Sequence, residues 1–304
     1  MTNEANETKE RKQTIIAVWI SLIANIVLTV AKLFVGTLFQ SQVLIADGIH
    51  NAGDVIAVAV AYSTMRVSTK PADEDHPYGH GKAEVLGAFI VAIILGIAAF
   101  YMGFHAISAF FEPAPNVHYI AFIAAFLSLV IKQLLYVYSM RVGKRMNSKA
   151  LIATAYDHLA DVYASIAACV GIGLGLLGKW LQYPILLYGD PAAGIIVSLL
   201  VLKLAWEMGK ESFDILMDKL VPAEQIETLM AFISANPAVK RIDRLRAREQ
   251  GHYILVDLRV SVVGTLTIQE GHDIIRQLQI SIMNLDSKIG EVLVHLNPWY
   301  PEQK

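Results

Sequence analysis

The chain has 304 residues, of which 55% are hydrophobic, a mean hydropathy of +0.48 and a formal net charge of -2. The charge gives no indication of a nucleic-acid partner, and none is expected. The single cysteine, Cys169, excludes a disulfide within the chain. Several apolar stretches reach ~20 residues, the length that crosses the hydrocarbon core of a bilayer. The sequence therefore predicts a polytopic membrane protein.

Six apolar runs are candidate membrane spans, and a short N-terminal tail, residues 1–12, precedes them. The predicted spans are Gln13–Phe39, Gln42–Met65, Ala83–Phe111, Val117–Met140, Ala150–Leu177 and Leu181–Glu207. Together they make a predicted membrane domain, residues 13–208. Lys and Arg are concentrated on one side of these spans, whereas the other side offers only Lys179. The positive-inside rule then places both termini in the cytoplasm.

After the last span the pattern changes from continuous apolar runs to amphipathic ones, so residues 209–304 are predicted to be a separate domain. Val221–Asn236 is a predicted helix with Ile226, Leu229, Met230 and Ile233 as its apolar stripe. Predicted strands follow at Arg244–Gln250 and Tyr253–Val263, and a third strand at Gly290–Leu296. Between them, Thr267 and Glu270 fit a capping box that opens a second helix. The order αββαβ predicts a small α+β domain.

Polar residues interrupt two of the apolar runs. Asp47 and Asn51 lie in the second run, and Asp157 and Asp161 in the fifth. Each pair is spaced i, i+4, so its members share one helix face, and two such faces brought together offer four oxygen ligands. Each intramembrane Asp costs ~2.5 to 3.5 kcal/mol on insertion, so a compensating function is expected. The alternative, that protonated acids only bind helices together, does not explain two matched pairs.

The predicted cage contains only oxygen donors, which favours Mn²⁺, Mg²⁺ or Ca²⁺ over Zn²⁺. His50 and His158 adjoin Asn51 and Asp157. A neighbouring position is rotated by about 100° around a helix, so both imidazoles are expected to point away from the cage. His158 is the better candidate of the two to contribute, and His50 is expected to be a helix-packing residue. Asp54 is either a structural partner or a proton acceptor.

The loop between the second and third spans, residues 73–84, combines two histidines and four acids with two glycines. Spacing alone leaves two interpretations open, a surface metal site or a solvated, turn-rich loop.

These motifs together resemble the cation diffusion facilitator family. The resemblance is carried by Ala46–Asn51, by His76–Glu84, by Tyr156–Asp161 and by the αββαβ tail. It implies a homodimer whose protomers have six transmembrane helices in an α-helical bundle and a C-terminal cytoplasmic α+β domain of ferredoxin-like fold. It also implies export of a divalent metal driven by exchange for protons, at the bacterial plasma membrane.

The family's site residues map onto this sequence by motif. The transport site falls on Asp47, Asn51, Asp157 and Asp161, without the histidine typical of zinc members, and this set is similar to that of bacterial manganese exporters. A loop site falls on Asp73, His76 and His80. A cytoplasmic site falls on Asp243, Asp257, His272, His295 and Asn297, where several of the zinc members' histidines are replaced. Lys82 and Asp218 match a charge pair between the membrane and cytoplasmic parts of related transporters.

The expected function is therefore Mn²⁺ export by proton antiport and alternating access, with Zn²⁺, Fe²⁺ or Cd²⁺ as alternative cargo and no resident cofactor. Two other classes stay open on the sequence. A metal-dependent intramembrane hydrolase would need a general base, for which Asp54 is the candidate, but no HExxH or GxSxG motif is present. A metal-responsive sensor would lose its output when the tail is removed from residue 209, whereas a transporter would keep some flux.

Overall fold

The computed structural model describes residues 2–112, 118–145 and 149–300. The chain forms two compact units. The first combines Met1–Ala59 with Ile90–Met208, and the second combines Val60–Phe89 with Gly209–Lys304.

Six helices within the described residues are long and apolar enough to cross a membrane. Their bounds are α1 Thr2–Leu38, α2 Gln42–Ser68, α3 Lys82–Ser108, α4 Tyr119–Arg145, α5 Lys149–Leu181 and α6 Gly189–Leu216. Their large apolar side chains include many that are exposed, among them Phe34, Phe100 and Trp206. Since apolar side chains that face lipid need no protein cover, this surface agrees with a membrane-spanning bundle.

The predicted span boundaries hold within a few residues except at the start of α1 and at both ends of α6, which ends at Leu216 and not at Glu207. Helix α6 begins at Gly189 and not at Leu181, because α5 continues to Leu181 and a 3₁₀ helix at Pro184–Tyr188 follows. Gln182 between them has a positive φ of 53°, which ends α5. At the other end α1 begins at Thr2, where Gln13 was expected.

The start of α2 is fixed by a carboxylate from α6. Asp190 is 3% exposed, and its Oδ1 accepts a hydrogen bond of 2.8 Å from the backbone N–H of Val43. The first N–H groups of a helix have no partner inside the helix, so a side-chain acceptor there stabilises the helix end. This contact anchors the end of α2 that lies one turn before Asp47.

The C-terminal part has the predicted αββαβ order. Helix α7, Ala223–Ser234, is followed by β1 Arg241–Glu249, β2 Ile254–Val263, α8 Ile268–Leu285 and β3 Ile289–Trp299. The described strands form a sheet of order β1-β2-β3, with β1 antiparallel and β3 parallel to β2. The predicted fold, an α-helical membrane bundle with an α+β C-terminal domain, is confirmed.

Alternation along β2 decides which side of the sheet the helices cover. Val256, Leu258 and Val260 are at most 1% exposed and pack with Ile233 of α7 and Ile282 of α8. The opposite face carries Asp257, Arg259 and Ser261, since successive strand side chains point to opposite faces. On α7 the predicted stripe holds for Leu229 and Ile233, whereas Met230 is 44% exposed.

The capping box at α8 is also confirmed. Thr267 accepts from the backbone N–H of Glu270, and the Glu270 side chain accepts from the backbone N–H of Thr267. The backbone N–H and the hydroxyl of Thr267 both donate to the Glu270 carboxylate and lower its pKa, because they favour its ionised form.

Candidate cation site

Helices α2 and α5 bring their polar faces together. Ser165 Oγ donates to Asp47 Oδ2 at 3.3 Å, and His50 Nε2 lies 3.2 Å from Asp161 Oδ1. A later residue of α2 thus meets an earlier residue of α5, so the two helices run antiparallel. The polar groups are therefore spread in layers along both helices.

The first layer contains Asp47 and the ammonium group of Lys32 from α1. Both side chains are at most 1% exposed, and Lys32 Nζ lies 2.7 Å from Asp47 Oδ2. The two groups are close as opposite charges, but their approach does not have the geometry of a hydrogen bond, and Lys32 Nζ has no such partner among the described residues. Asp47 is compensated in charge but only partly satisfied in hydrogen bonding.

Next to Asp47, one turn along α2, Asn51 is fully buried. Neither its Oδ1 nor its Nδ2 has a hydrogen-bond partner within the described part of the chain, and the same holds for Asp47 Oδ1. A buried polar group without a partner costs about 1–3 kcal/mol. Two unpartnered oxygens on one helix face are the kind of donors that a hard divalent cation takes.

The second layer is centred on Asp161, which is 2% exposed. Lys132 Nζ of α4 donates to Asp161 Oδ2 at 2.5 Å and to Asn25 Oδ1 of α1 at 2.8 Å. His158 Nδ1 is 3.9 Å from Asp161 Oδ2, and its Nε2 lies 3.1 Å from Ser21 Oγ. Asp161 is therefore contacted by groups from α2, α4 and its own helix, and α1 contributes through Asn25 and Ser21, which contact Lys132 and His158.

The expectation that His50 points away from the site is wrong. His50 was placed by its rotation from Asn51 alone, but three residues after Asp47 it is only about 60° from the Asp47 direction. That angle lies within the polar face of a helix, which spans about 100°. Within the described residues, ligand atoms of His50, Asp54 and Asp161 all lie within 4.8 Å of one another, which is a metal-sized group.

The four predicted transport ligands are not gathered around one point in this structure. Asp47, Asn51 and Asp161 are buried, whereas Asp157 is exposed. The antiparallel arrangement places Asp157 toward Asp54 and Asp161 beside His50, with Asp47 in the next layer. Their role as joint ligands stays a prediction.

Lys32 and Lys132 lie inside apolar runs, and the sequence alone does not decide whether each snorkels, pairs with an acid or sits in a water-filled cavity; it does not single out Asn25 or Ser21. The signal was present in α1, where Ser21, Asn25, Thr29 and Lys32 follow the spacing i, i+4, i+8, i+11 of one helix face. What the spacing does not give is the helix that this face meets.

The loop before α3 brings its three predicted ligands together. Asp73 Oδ1 is 3.3 Å from His76 Nδ1, and Asp73 Oδ2 is 3.3 Å from His80 Nε2. The backbone N–H of His76 donates to Asp73 at 2.7 Å, and this bond is the main cause of the lowered pKa of the exposed Asp73 carboxyl. The three residues form the second group of metal-sized dimensions in the described ranges.

The tautomer of His80 matters at this loop. Its Nδ1 lies 3.2 Å from the carbonyl oxygen of Pro71, which has no hydrogen to give. Nδ1 is therefore the donor, and a neutral His80 directs the lone pair of Nε2 at the Asp73 carboxylate. Two acceptors 3.3 Å apart need a cation between them, either a proton on the ring or a bound metal.

The predicted cytoplasmic ligands are distributed over both layers of the C-terminal domain. Asp257, His295 and Asn297 lie on strands β2 and β3, and His272 lies exposed on α8. Asp243 accepts hydrogen bonds from Asn297 (2.8 Å), Ser261 (2.7 Å) and Arg241 (2.7 Å). These bonds lower the pKa of Asp243 to about 2, with Asn297 as the largest cause. In this structure Asp243 is engaged by protein donors.

Lys82 and Asp218 lie in the second unit, with Lys82 Nζ 2.8 Å from Asp218 Oδ1. Lys82 also donates to the carbonyl oxygen of Leu216, and Arg248 Nη1 lies 3.4 Å from Asp218 Oδ2. Asp218 has a left-handed φ of 58°, at the point where the chain leaves α6. The resemblance implies this pair, and its geometry is that of an ion pair.

A six-helix membrane bundle that encloses ionisable side chains in close acid–lysine pairs, followed by a small α+β domain, is typical of a polytopic ion transporter. The family models agree with this class: the "Cation efflux transmembrane domain" matches residues 18–217, and the "Cation efflux protein, cytoplasmic domain" matches residues 221–299. The chain belongs to the cation efflux family, which confirms the resemblance to the cation diffusion facilitators. It is a transporter and not an enzyme.

Several relatives match over nearly the whole chain. The manganese efflux system protein MneP of Bacillus subtilis is 46% identical over 283 residues, which are 93% of this chain and 95% of MneP. MneS of the same organism, also a manganese efflux system protein, is 32% identical over 283 residues, 92% of this chain and 93% of its own. The magnetosome protein MamB of Paramagnetospirillum magneticum is 33% identical over 257 residues, 83% of each chain.

Proposed function

We propose that this protein exports Mn²⁺ from the cytoplasm in exchange for protons. The observation that carries the proposal is the pair of fully buried residues, Asp47 and Asn51, whose oxygens Asp47 Oδ1 and Asn51 Oδ1 have no hydrogen-bond partner in the described residues. Hard oxygen ligands suit Mn²⁺. The similarity to two proteins named as manganese efflux systems supports the same cargo.

The mechanism follows from the chemistry of the acids. In an inward-facing state, Asp47, Asn51, Asp157 and Asp161 capture the metal. Because Asp157 is exposed while Asp47, Asn51 and Asp161 are buried, Asp157 is the group that meets an incoming ion first. After the bundle opens outward, protons compete for the carboxylates and the metal leaves. The protonated site then returns inward and releases its protons.

The buried charged side chains of the site come from four separate helices, Lys32 from α1, Asp47 from α2, Lys132 from α4 and Asp161 from α5, so the site depends on how these helices pack. Alternating access changes this packing and thereby the number of oxygens within reach of the metal. We place the protein in the bacterial plasma membrane with both termini in the cytoplasm, as the distribution of Lys and Arg indicates. We also propose that it acts as a homodimer.

One observation favours a second candidate cargo, Zn²⁺. His50 contributes a ring nitrogen to the group that it forms with Asp54 and Asp161, and zinc sites usually recruit such nitrogens. The two candidates differ in what His50→Gln does. If Mn²⁺ held by oxygens is the cargo, Mn²⁺ transport survives this substitution, whereas a zinc site built on His50 loses most of its affinity.

The test is metal uptake by proteoliposomes, with Mn²⁺, Zn²⁺, Fe²⁺ and Cd²⁺ supplied separately. Wild type is expected to transport Mn²⁺ fastest, and Asp157→His is expected to shift the preference toward Zn²⁺, because an imidazole replaces an oxygen ligand. Asp273→Asn is the matched control, since Asp273 lies exposed on α8. Faster transport of Zn²⁺ than of Mn²⁺ by wild type would refute the proposed cargo.

A further inference from the structure

The two lysines buried inside the first unit are an unusual component of a cation pathway. Lys32 is 1% exposed and Lys132 is fully buried, and each lies against a carboxylate that the proposed function uses. A charged side chain inside a membrane bundle is costly, so it persists only with a partner and a role. Neither α1 nor α4 carries a predicted metal ligand, yet each places its cation at the site.

The acids of the proposed site outnumber its lysines by the charge of one divalent cation. Asp47, Asp54, Asp157 and Asp161 contribute four carboxylates, and Lys32 and Lys132 contribute two ammonium groups. With all of them ionised, two negative charges are left without compensation, the number that one divalent cation neutralises. Without the lysines, the buried carboxylates of Asp47 and Asp161 would have no ammonium group beside them in the metal-free site, which burial disfavours.

The two lysines are held differently. Lys132 Nζ donates to both Asp161 and Asn25, at 2.5 and 2.8 Å. Lys32 Nζ lies 2.7 Å from Asp47 but has no hydrogen-bond partner in the described ranges. Lys132 is thus fixed by two hydrogen bonds. Lys32 is held only by charge attraction, and its flexible aliphatic chain lets the ammonium group move.

The oxygens next to Lys32 are the ones left open. Asp47 Oδ1 and Asn51 Oδ1 have no partner within the described residues, and Lys32 faces the other carboxylate oxygen, Asp47 Oδ2. A dication that enters here meets one bound cation, and repulsion between the two favours withdrawal of the ammonium group from Asp47.

We propose that Lys32 is a resident counter-cation that occupies the metal-free transport site and is displaced from Asp47 by the transported dication, while Lys132 stays in place as a fixed countercharge. Lys32 is a positioning residue and not a ligand. It places an opposite charge beside the buried Asp47 carboxylate while no metal is bound, and it weakens metal binding enough for release. This inference rests on the proposed function, because it assigns Lys32 a role in the same site.

The experiment is titration of the purified full-length protein in detergent with Mn²⁺, together with thermal unfolding with and without the metal. Lys32→Met is expected to bind Mn²⁺ roughly tenfold more tightly than wild type, since the competing cation is gone. Its maximum transport rate is expected to fall, because release becomes slower. Without metal its Tm is lower than that of wild type, and added Mn²⁺ raises its Tm by more. Lys32→Arg keeps the charge and is the control, with a Kd within about threefold of wild type.

Unchanged or weaker Mn²⁺ binding by folded Lys32→Met would overturn the inference and leave Lys32 a purely structural residue. If Lys32→Met does not fold, the double variant Lys32→Met, Asp47→Asn decides, because it removes both charges. The inference requires the double variant to fold, and failure to fold contradicts it. A wild-type protein that does not bind Mn²⁺ at all contradicts the proposed function instead, so the two failures are distinguishable.

Discussion

At the scale of single residues, Asp157 and Asp161 lie one turn apart on α5 but in different surroundings. Asp161 is 2% exposed and paired with Lys132, whereas Asp157 is exposed. A carboxylate that compensates a buried ammonium has a structural role, which for Asp161 comes in addition to its proposed role as a ligand. Substituting the two acids one at a time therefore distinguishes an effect on transport from an effect on stability.

Asp161→Asn and Asp157→Asn are both expected to abolish Mn²⁺ transport, because each removes a carboxylate of the proposed transport site. Only Asp161→Asn is expected to lower stability markedly, by about 3 kcal/mol, since it leaves Lys132 buried with Asn25 as its remaining partner. Asp157→Asn is expected to stay within about 0.5 kcal/mol of wild type. Transport assays and thermal unfolding of both variants check this, and equal loss of stability in the two would contradict it.

The acids of the site were predictable from the sequence, because an Asp in an apolar run is costly to insert into a membrane and is expected to have a function. The i, i+4 spacing shows that Asp157 and Asp161 share a helix face. Their partners were not predictable. That Lys32 meets Asp47 and Lys132 meets Asp161 depends on which helices are neighbours and at what height, and no local pattern carries that information. The wrong expectation for His50 has another cause, because its direction was taken from Asn51 and not from Asp47.

At the scale of elements, Asp243 links the three strands of the C-terminal sheet. The pairing of β1 with β2 is irregular between Ile242 and Arg244, which marks a bulge at Asp243. The bulge turns this side chain toward Ser261 of β2 and Asn297 of β3, and both donate to it. A bulge that re-aims one side chain is a common device at a sheet edge.

Asp243→Ala is expected to destabilise the sheet by about 2 kcal/mol, because three hydrogen bonds to the carboxylate are lost. Since the folded-state pKa of about 2 is below the ordinary value of 3.8, this stabilisation is complete above about pH 4 and is lost as pH falls toward 2. Amide hydrogen exchange of β2 in the full-length protein measures both effects. Asp273→Ala is the control, and an acid dependence unchanged in Asp243→Ala would contradict the account.

The loop that carries Asp73, His76 and His80 meets the turn before β2 in the second unit. The hydroxyl of Tyr253 donates to the carbonyl oxygen of Tyr78, and Gly251 at a φ of 79° faces Gly81 so closely that a Cβ on either residue would overlap the other's backbone or the backbone of Gln250. The loop and the turn therefore require glycine at both positions.

Gly251→Ala is expected to cost at least about 2 kcal/mol, from the positive φ and from the clash together. It should also raise hydrogen exchange in residues 73–80, because the turn no longer supports the loop. Gly96→Ala is the control: its Cβ would meet only the Cβ of Ala205, at 3.9 Å. Wild-type exchange in the loop of Gly251→Ala would show that the contact does not order the loop.

The elements themselves were largely predictable. Six apolar runs, a capping box at Thr267 and alternating strands are local signals, and the structure follows them within a few residues. Where a boundary moved, the cause was backbone geometry that residue type does not reveal, such as the positive φ of Gln182 before α6.

At the scale of the whole molecule, the chain continues from a six-helix bundle with buried acids into an α+β domain. Models of the cation efflux family match both parts. In the proposed mechanism protons and a divalent metal compete for the same carboxylates, so transport is expected to respond to both. Acid on the side from which Mn²⁺ enters is expected to slow uptake, and acid on the opposite side to accelerate it. Measuring initial rates with the two pH values varied independently checks this, and a rate that depends on neither would contradict a proton-coupled site.

The most direct measurement is the luminal pH of proteoliposomes loaded with a pH indicator while Mn²⁺ is added outside. Exchange predicts that Mn²⁺ entry raises the luminal pH in wild type, because protons leave as the metal enters, and that Asp157→Asn shows neither flux. Mn²⁺ entry without any change in luminal pH, under conditions where the indicator responds to added acid, would contradict proton exchange as the driving reaction.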